Sequence, residues 1–124
     1  MTAGSTEAMT QMDKKEIARS YFDRVVTGDL DAVNELLTLD FVDHDAPPGT
    51  PRGPEAAKAF AGAMISHHPD LKIEIEDVFG EDNRVALRLR WNAEQTGYVQ
   101  YGIVVFRFEG DRIAERWSAY MSAA

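Results

Sequence analysis

The chain lacks cysteine altogether, so disulfide bonds and thiolate chemistry are excluded and the redox compartment is left open. It is also poor in positive charge, since 13 Lys and Arg residues stand against 21 Asp and Glu residues and give a net charge of -8. No basic cluster offsets this balance, which argues against nucleic acid and against anionic membrane surfaces as partners. No apolar run approaches the roughly 20 residues of a membrane-spanning helix.

The first segment, residues 1–12, is small and polar and lacks the apolar centre of a signal peptide. We interpret it as a disordered leader, with Met9 or Met12 as alternative starts, and expect a cytoplasmic protein. With 44% hydrophobic residues in 124, the chain suits one compact domain. We place that domain at residues 13–124, because no linker or internal repeat divides them.

Helical periodicity dominates the first half of the domain. Asp13 and Glu16 have capping-box spacing and begin a first helix, which Gly28 ends. Asp29 caps a second helix, and Pro54 occupies the first turn of a third. Three helices are therefore predicted before the period of the apolar residues changes.

After residue 69 that period becomes two, which indicates strands. Four strands are predicted, at residues 71–79, 85–91, 98–108 and 112–120. The short turns between them imply an antiparallel meander, and helices followed by such strands indicate an α+β domain. The alternating charges at Lys72, Glu74, Glu76, Arg88 and Arg90 predict cross-strand ion pairs on a solvated face.

The strand at residues 98–108 is mostly apolar on both faces, so both faces should be buried. Three helices can cover only one of them. We expect a second copy of the chain to cover the other face, which carries Val99, Tyr101, Ile103 and Val105, in a homodimer formed through the sheet.

The chemically richest segment is residues 41–55. It places Asp43, His44 and Asp45 in consecutive positions before a loop rich in proline and glycine. Titratable groups beside a rigid loop are what a small acid/base site needs. In an extended segment His44 points away from the two aspartates, so two arrangements stay open. Either Asp45 faces the cavity as the base, or His44 points inward and Asp43 orients it.

No metal is expected, because a metal needs three or four converging ligands and the chain offers only His44, the two aspartates and the distant pair His67 and His68. Those two histidines fall in the last turn of the third helix, where a structural role is favoured. The chain has no Gly-rich phosphate loop and no nucleophile-base pattern of the serine-hydrolase type, and we expect no cofactor.

Four stretches carry a resemblance to a known family. They are residues 21–31, 41–54, 68–86 and 106–117. In this order and spacing they resemble the nuclear transport factor 2-like superfamily, and within it the branch of SnoaL-like polyketide cyclases and ketosteroid isomerases. The resemblance implies a cone-shaped α+β fold, with three amino-terminal helices packed on a strongly curved, mainly antiparallel sheet around a deep apolar cavity.

The resemblance also implies roles for single residues. Tyr21 matches the catalytic Tyr of ketosteroid isomerases and Asp45 matches their general base, but their second acid falls at Val104. SnoaL-like cyclases carry an Asp shortly after the Trp of the last strand, and no carboxylate follows Trp117 here. The resemblance therefore supports the fold better than either named reaction.

These observations together predict a cofactor-independent acid/base enzyme of isomerase or cyclase type. Its substrate is a mainly apolar small molecule with a carbonyl group, such as a polyketide. Asp45, helped or replaced by His44, takes a proton, and Tyr21 donates a hydrogen bond to the enolate. The expected substrate-binding wall consists of Phe60, Met64, Trp91, Val104, Phe106 and Trp117. The alternative is a non-catalytic small-molecule-binding or dimerisation module of the same fold.

Overall fold

Three α-helices pack on one five-stranded sheet in the computed structural model, which describes residues 10–122. The elements are α1 (Gln11–Thr27), α2 (Leu30–Leu36), β1 (Leu37–Asp43), α3 (Pro54–His67), β2 (Lys72–Glu81), β3 (Arg84–Ala93), a 3-10 turn (Glu94–Thr96), β4 (Tyr98–Glu109) and β5 (Arg112–Ser122). The predicted α+β class is confirmed. None of the helices between residues 10 and 122 is long and apolar enough to cross a membrane.

The sheet has the strand order β1-β5-β4-β3-β2. Strands β2 to β5 form the predicted antiparallel meander, and β1 adds one parallel pair with β5 at the edge. Irregular register interrupts three of the strand pairs, including β4 with β5 beside Phe108. Because a bulge bends and twists its strand, these irregularities let the sheet wrap around the helices.

Helix α1 begins two residues before its predicted start. Thr10 is the N-cap, and its hydroxyl accepts a hydrogen bond from the Asp13 backbone N–H at 3.1 Å. The Asp13 carboxylate in turn accepts from the Thr10 N–H at 3.3 Å, which completes a capping box. The expected box at Asp13 and Glu16 was therefore misplaced by three residues. Gln11 and Met12 belong to the helix, and residues 1–9 of the predicted leader lie outside the described residues.

The core lies between α1 and the inner face of the sheet. The Phe22 ring stacks on Phe106 with centroids 5.7 Å apart and meets Trp91 edge-on at 6.1 Å. All three side chains are buried, as is Val104. Helix α1 thus fills the middle of the curved sheet, and any open space must lie nearer to one end.

The other face of the sheet divides into a charged part and an apolar part. On β2 and β3 the predicted ion pairs are confirmed for two arginines, with Arg88 bound to Asp77 at 2.6 Å and Arg90 bound to Glu74 at 2.6 Å. On β4 and β5 the apolar part, here called the outer apolar face, remains exposed. It consists of Tyr101, Ile103, Ala119 and Met121.

Candidate active site

A cavity of about 480 Å³ lies between β1 with its following loop, α3 and the last part of β5. Its volume falls within the roughly 300–1,000 Å³ of small-molecule sites. The apolar part of its wall includes Phe41, Val42, Pro47, Pro51, Ala57 and Phe60. The polar groups that reach it include Tyr21, Asp43, Asp45, Arg116 and Tyr120. Mostly apolar walls with a few converging polar groups are typical of sites that bind and orient organic ligands.

The two aspartates are positioned where β1 ends and its loop begins. Oδ1 of Asp43 accepts a hydrogen bond from the Asp45 backbone N–H at 3.0 Å, which closes a tight turn. Oδ2 of Asp45 accepts from the Ser118 backbone N–H on β5 at 2.7 Å. The backbone N–H of His44 donates to the Arg116 carbonyl at 2.9 Å and continues the pairing of β1 with β5. Both carboxylates therefore line the cavity, and sequence reasoning had assigned Asp43 only an orienting role.

Arg116 places a cation inside the cavity. The residue is only 6% exposed, and its guanidinium lies over the Phe22 ring at 5.8 Å from the centroid. Nη2 donates a hydrogen bond to the Tyr120 hydroxyl at 2.8 Å, while Nε has no hydrogen-bond partner within residues 10–122. In that part of the chain no carboxylate oxygen lies within 4.0 Å of the guanidinium nitrogens.

The surroundings of Arg116 determine the protonation of three groups. Burial raises the pKa of the Tyr21 phenol, and Arg116 opposes only part of this rise. Burial also raises the pKa of Tyr120, and the positive charge of Arg116 opposes this rise. The Tyr120 ring reaches the surface, but the Tyr120 hydroxyl lies at the guanidinium. Burial alone would lower the pKa of Arg116, yet Tyr21, Tyr120 and Asp43 outweigh it and the pKa is raised. Near pH 7 the Arg116 guanidinium is therefore charged, and the phenols of Tyr21 and Tyr120 are neutral.

Tyr120 can enter the cavity because a glycine lies opposite it. Gly102 on β4 pairs with Tyr120 on β5, and a Cβ at Gly102 would overlap the Tyr120 ring. The ring then meets Trp91 edge-on, with centroids 5.8 Å apart.

His44 lies outside the cavity, on the opposite side of the sheet. Its ring stacks on Trp117 with centroids 4.7 Å apart, and Nε2 is 2.7 Å from Oε1 of Glu115. Glu115 also accepts a hydrogen bond from Arg107. The two hydrogen bonds, from Arg107 first and His44 second, lower the pKa of Glu115. His44 thus belongs to a surface ion-pair cluster, as the alternation of side chains along a strand requires, and we do not propose it as the base.

Only one side chain of the expected substrate-binding wall lines the cavity, namely Phe60. Trp91, Val104 and Phe106 belong to the core, and Met64 packs against it, because Phe22 fills the space in front of them. Trp117 lies on the outer side with His44. These residues were expected to line a pocket between the third helix and the inner face of the sheet, whereas the cavity lies towards β1 and the start of α3.

Trp117 faces away from the cavity and Arg116 faces into it for the same reason. Ile113 and Ala114 are both buried, because the register of β5 against β4 shifts at this point. One extra residue moves every later side chain to the other face of the sheet. Arg116, Ser118 and Tyr120 therefore face the cavity, although strict alternation from Ile113 predicts the opposite.

The other histidines have structural contacts. Nδ1 of His68 is 2.7 Å from Oγ1 of Thr96, and its ring stacks on Tyr98 with centroids 4.3 Å apart. His67 lies in the last turn of α3, as predicted. Within residues 10–122 no three His, Asp or Glu side chains are grouped so that they could hold a metal ion.

Comparison with known proteins supports the fold and the family. The family model described as SnoaL-like domain matches residues 18–116. A loop-truncation variant of IdmH, a protein of Streptomyces antibioticus, is 25% identical with a TM-score of 0.76, covering 86% of this chain and 91% of that chain. A SnoaL-like polyketide cyclase of Agrobacterium tumefaciens is 19% identical with a TM-score of 0.74 over 87% of this chain and 91% of that chain. No curated protein matches the chain significantly.

Proposed function

The chain belongs to the family of SnoaL-like domains, and from this premise we propose that it is a cofactor-independent acid/base enzyme of cyclase or isomerase type. Its substrate is a mainly apolar small molecule that carries a carbonyl group. The observation that carries this proposal is the presence of a fixed carboxylate and of phenol and guanidinium donors on the wall of one cavity. Enolate chemistry needs a proton acceptor and an oxyanion site together.

Asp45 is the proposed base. Its Oδ2 is held by the Ser118 N–H, which fixes the carboxylate on the cavity wall and leaves Oδ1 to accept a proton. Asp43 is the weaker candidate, because it shares its neighbourhood with the cation of Arg116 and its Oδ1 already accepts from the Asp45 N–H.

Tyr21 is the proposed donor to the substrate oxygen. Its phenol stays neutral because burial raises its pKa, so it can donate a hydrogen bond to the oxygen on which negative charge develops. Asp45 removes a proton from the carbon next to the carbonyl, and the carbonyl oxygen takes up the charge as an enolate. The enolate then either attacks a second carbonyl carbon of the same molecule, whose C=O π bond breaks and whose oxygen takes the proton from Asp45, or regains the proton from Asp45 at another carbon conjugated with the enolate.

Asp45→Asn tests this proposal, because the amide keeps the size of the side chain and removes the proton acceptor. Enolisation can be followed without knowledge of the product, since a base that removes an α proton exchanges it with solvent deuterium.

The second candidate function, a non-catalytic binding module, is favoured by Val104 at the position of the missing acid and by the solvent exposure of Asp45. That module binds ligands in the same cavity and exchanges no protons.

We also propose a homodimer in which a second copy covers the outer apolar face. Tyr101 is 42% exposed, Ile103 47% and Met121 70%, and together with Ala119 they line one shallow groove. Contiguous apolar side chains on a sheet face are typical of association surfaces. A twofold axis through this groove would bring the same strands of both copies together.

A further inference from the structure

Arg116 differs from three other arginines of the sheet, which pair with carboxylates. Arg88 contacts Glu76 and Asp77, Arg90 contacts Glu74, and Arg107 contacts Glu109 and Glu115. Those three arginines are partly exposed, with 23–52% of the side chain accessible, and each has at least one carboxylate partner. Arg116 is the buried member of the set, and none of the described residues brings a carboxylate oxygen within 4.0 Å of it.

Burying a guanidinium without a direct counter-ion lowers the stability of the folded protein, because the group loses its hydration and no nearby negative charge fully compensates for that loss. Asp43 acts on it only from a greater distance, and Asp45 is engaged with the Ser118 N–H. Nε, moreover, is buried with no acceptor among the described residues. The guanidinium lies on the wall of a cavity large enough for an organic ligand, so a ligand can supply the missing negative charge.

We infer that Arg116 and the Tyr120 hydroxyl bind a carboxylate of the ligand, so that the substrates are keto acids with an apolar body. A planar guanidinium and a carboxylate match geometrically and form two parallel hydrogen bonds. The apolar body of the ligand would then lie against Phe41, Pro47 and Phe60, which form part of the apolar wall of the same cavity. The inference names the substrate class of the proposed function and rests on it only for turnover, since binding itself needs no reaction.

Because the protein as a whole is negatively charged, binding of a carboxylate depends on one local cation. With a net charge of -8 the chain repels anions at long range, so affinity for a carboxylate has to come from a local cation. Arg52 also lines the cavity, but it is exposed and remains hydrated. Arg116 is the buried cation on this wall, where an ionic hydrogen bond is least weakened by water.

The test is calorimetric titration with 2-naphthoate and with 2-naphthamide, which has the same shape and no charge. We expect the wild-type protein to bind 2-naphthoate about ten- to hundred-fold more tightly than the amide, as charge-assisted hydrogen bonds permit. Arg116→Met should abolish this preference, and Tyr120→Phe should reduce it. Arg112→Met is the matched control, because it removes one exposed positive charge from the same strand and should keep the full preference.

A second measurement needs no variant, which keeps the test independent of whether Arg116→Met folds. Titration of the wild-type protein with 2-naphthoate should shift the Nε–H resonance of Arg116 downfield in nitrogen-proton correlation spectra, and 2-naphthamide should not. Equal affinity for the two ligands, or an unmoved Nε–H resonance at saturation, would overturn the inference. Because neither probe is turned over, this result is separate from proton exchange: carboxylate binding without exchange would defeat only the proposed function.

Discussion

Gly102 and Tyr120 face each other across β4 and β5, and the Tyr120 ring occupies the space that a side chain at Gly102 would need. This close approach is what brings the Tyr120 hydroxyl to Nη2 of Arg116, at 2.8 Å. The absence of a Cβ at Gly102 on β4 thus permits the hydrogen bond between Tyr120 and the buried Arg116 on β5. The relationship can be tested by the smallest possible substitution.

Gly102→Ala should displace the Tyr120 ring, break its hydrogen bond to Arg116 and lower the free energy of unfolding by about 1–3 kcal/mol, the usual cost of overpacking. Urea denaturation measures the change. Gly62→Ala in α3 is the control, because the added Cβ meets only a Leu30 methyl group at 3.4 Å and alanine favours a helix. If Gly102→Ala were as stable as the wild type, the tight packing of Gly102 against Tyr120 would be refuted.

Glu115 should make stability depend on pH. Hydrogen bonds from Arg107 and His44 hold its pKa below the ordinary value in the folded protein. A group with a lowered folded pKa stabilises the fold above its unfolded pKa of about 4.3, and this stabilisation is lost as the pH falls through the folded pKa. Glu115→Gln should therefore be less stable than the wild type at pH 7, and the difference should shrink below about pH 4.

The comparison is made by urea denaturation at several pH values, with the exposed Glu94→Gln as the control for loss of one negative charge. A penalty for Glu115→Gln that stayed constant from pH 7 to the acid range would contradict the assignment of the ion-pair cluster. The side chain of Glu115 is partly exposed, so added salt should also reduce the penalty.

Ile103→Glu should convert a dimer to a monomer, because it would bury an unpaired charge in the proposed interface. Light scattering at micromolar concentration should give about twice 13.8 kDa for the wild type and 13.8 kDa for the variant. Leu39→Glu on β1 introduces the same charge at another highly exposed apolar residue and should leave the dimer intact. A wild-type protein that stays monomeric under these conditions would rule out the proposed dimer.

The sequence predicted the fold well because its signals are local. Gly28 at a positive φ of 76° ends α1, Pro54 begins α3, and the turns between the strands lie close to where they were expected. Arg88 and Arg90 have their expected partners because β2 and β3 are joined by a short turn that fixes the register. Short-range patterns of this kind specify elements and neighbouring pairs.

The site was less predictable, because it depends on relations that are distant in sequence. The register shift at Ala114 reverses the side chains of the last strand, and no alternation pattern in β5 reveals it in advance. The outward direction of His44 follows from strand geometry, but the binding of Asp45 to the Ser118 N–H does not, since it joins residues 73 positions apart. Asp45 and Tyr21 were predicted to share a cavity and do so, whereas Arg116 entered only with the structure.

The most direct test of the account is the exchange of α protons for deuterium in 2-tetralone and in 3-benzoylpropionate, followed by proton NMR in deuterium oxide. We predict that the wild-type protein and the His44→Ala variant accelerate the exchange of at least one of these ketones over the uncatalysed rate. The Asp45→Asn variant should fold and still bind 2-naphthoate, but it should give no acceleration. A wild-type protein without any acceleration, or an Asp45→Asn variant as fast as the wild type, would contradict Asp45 as the base of this site.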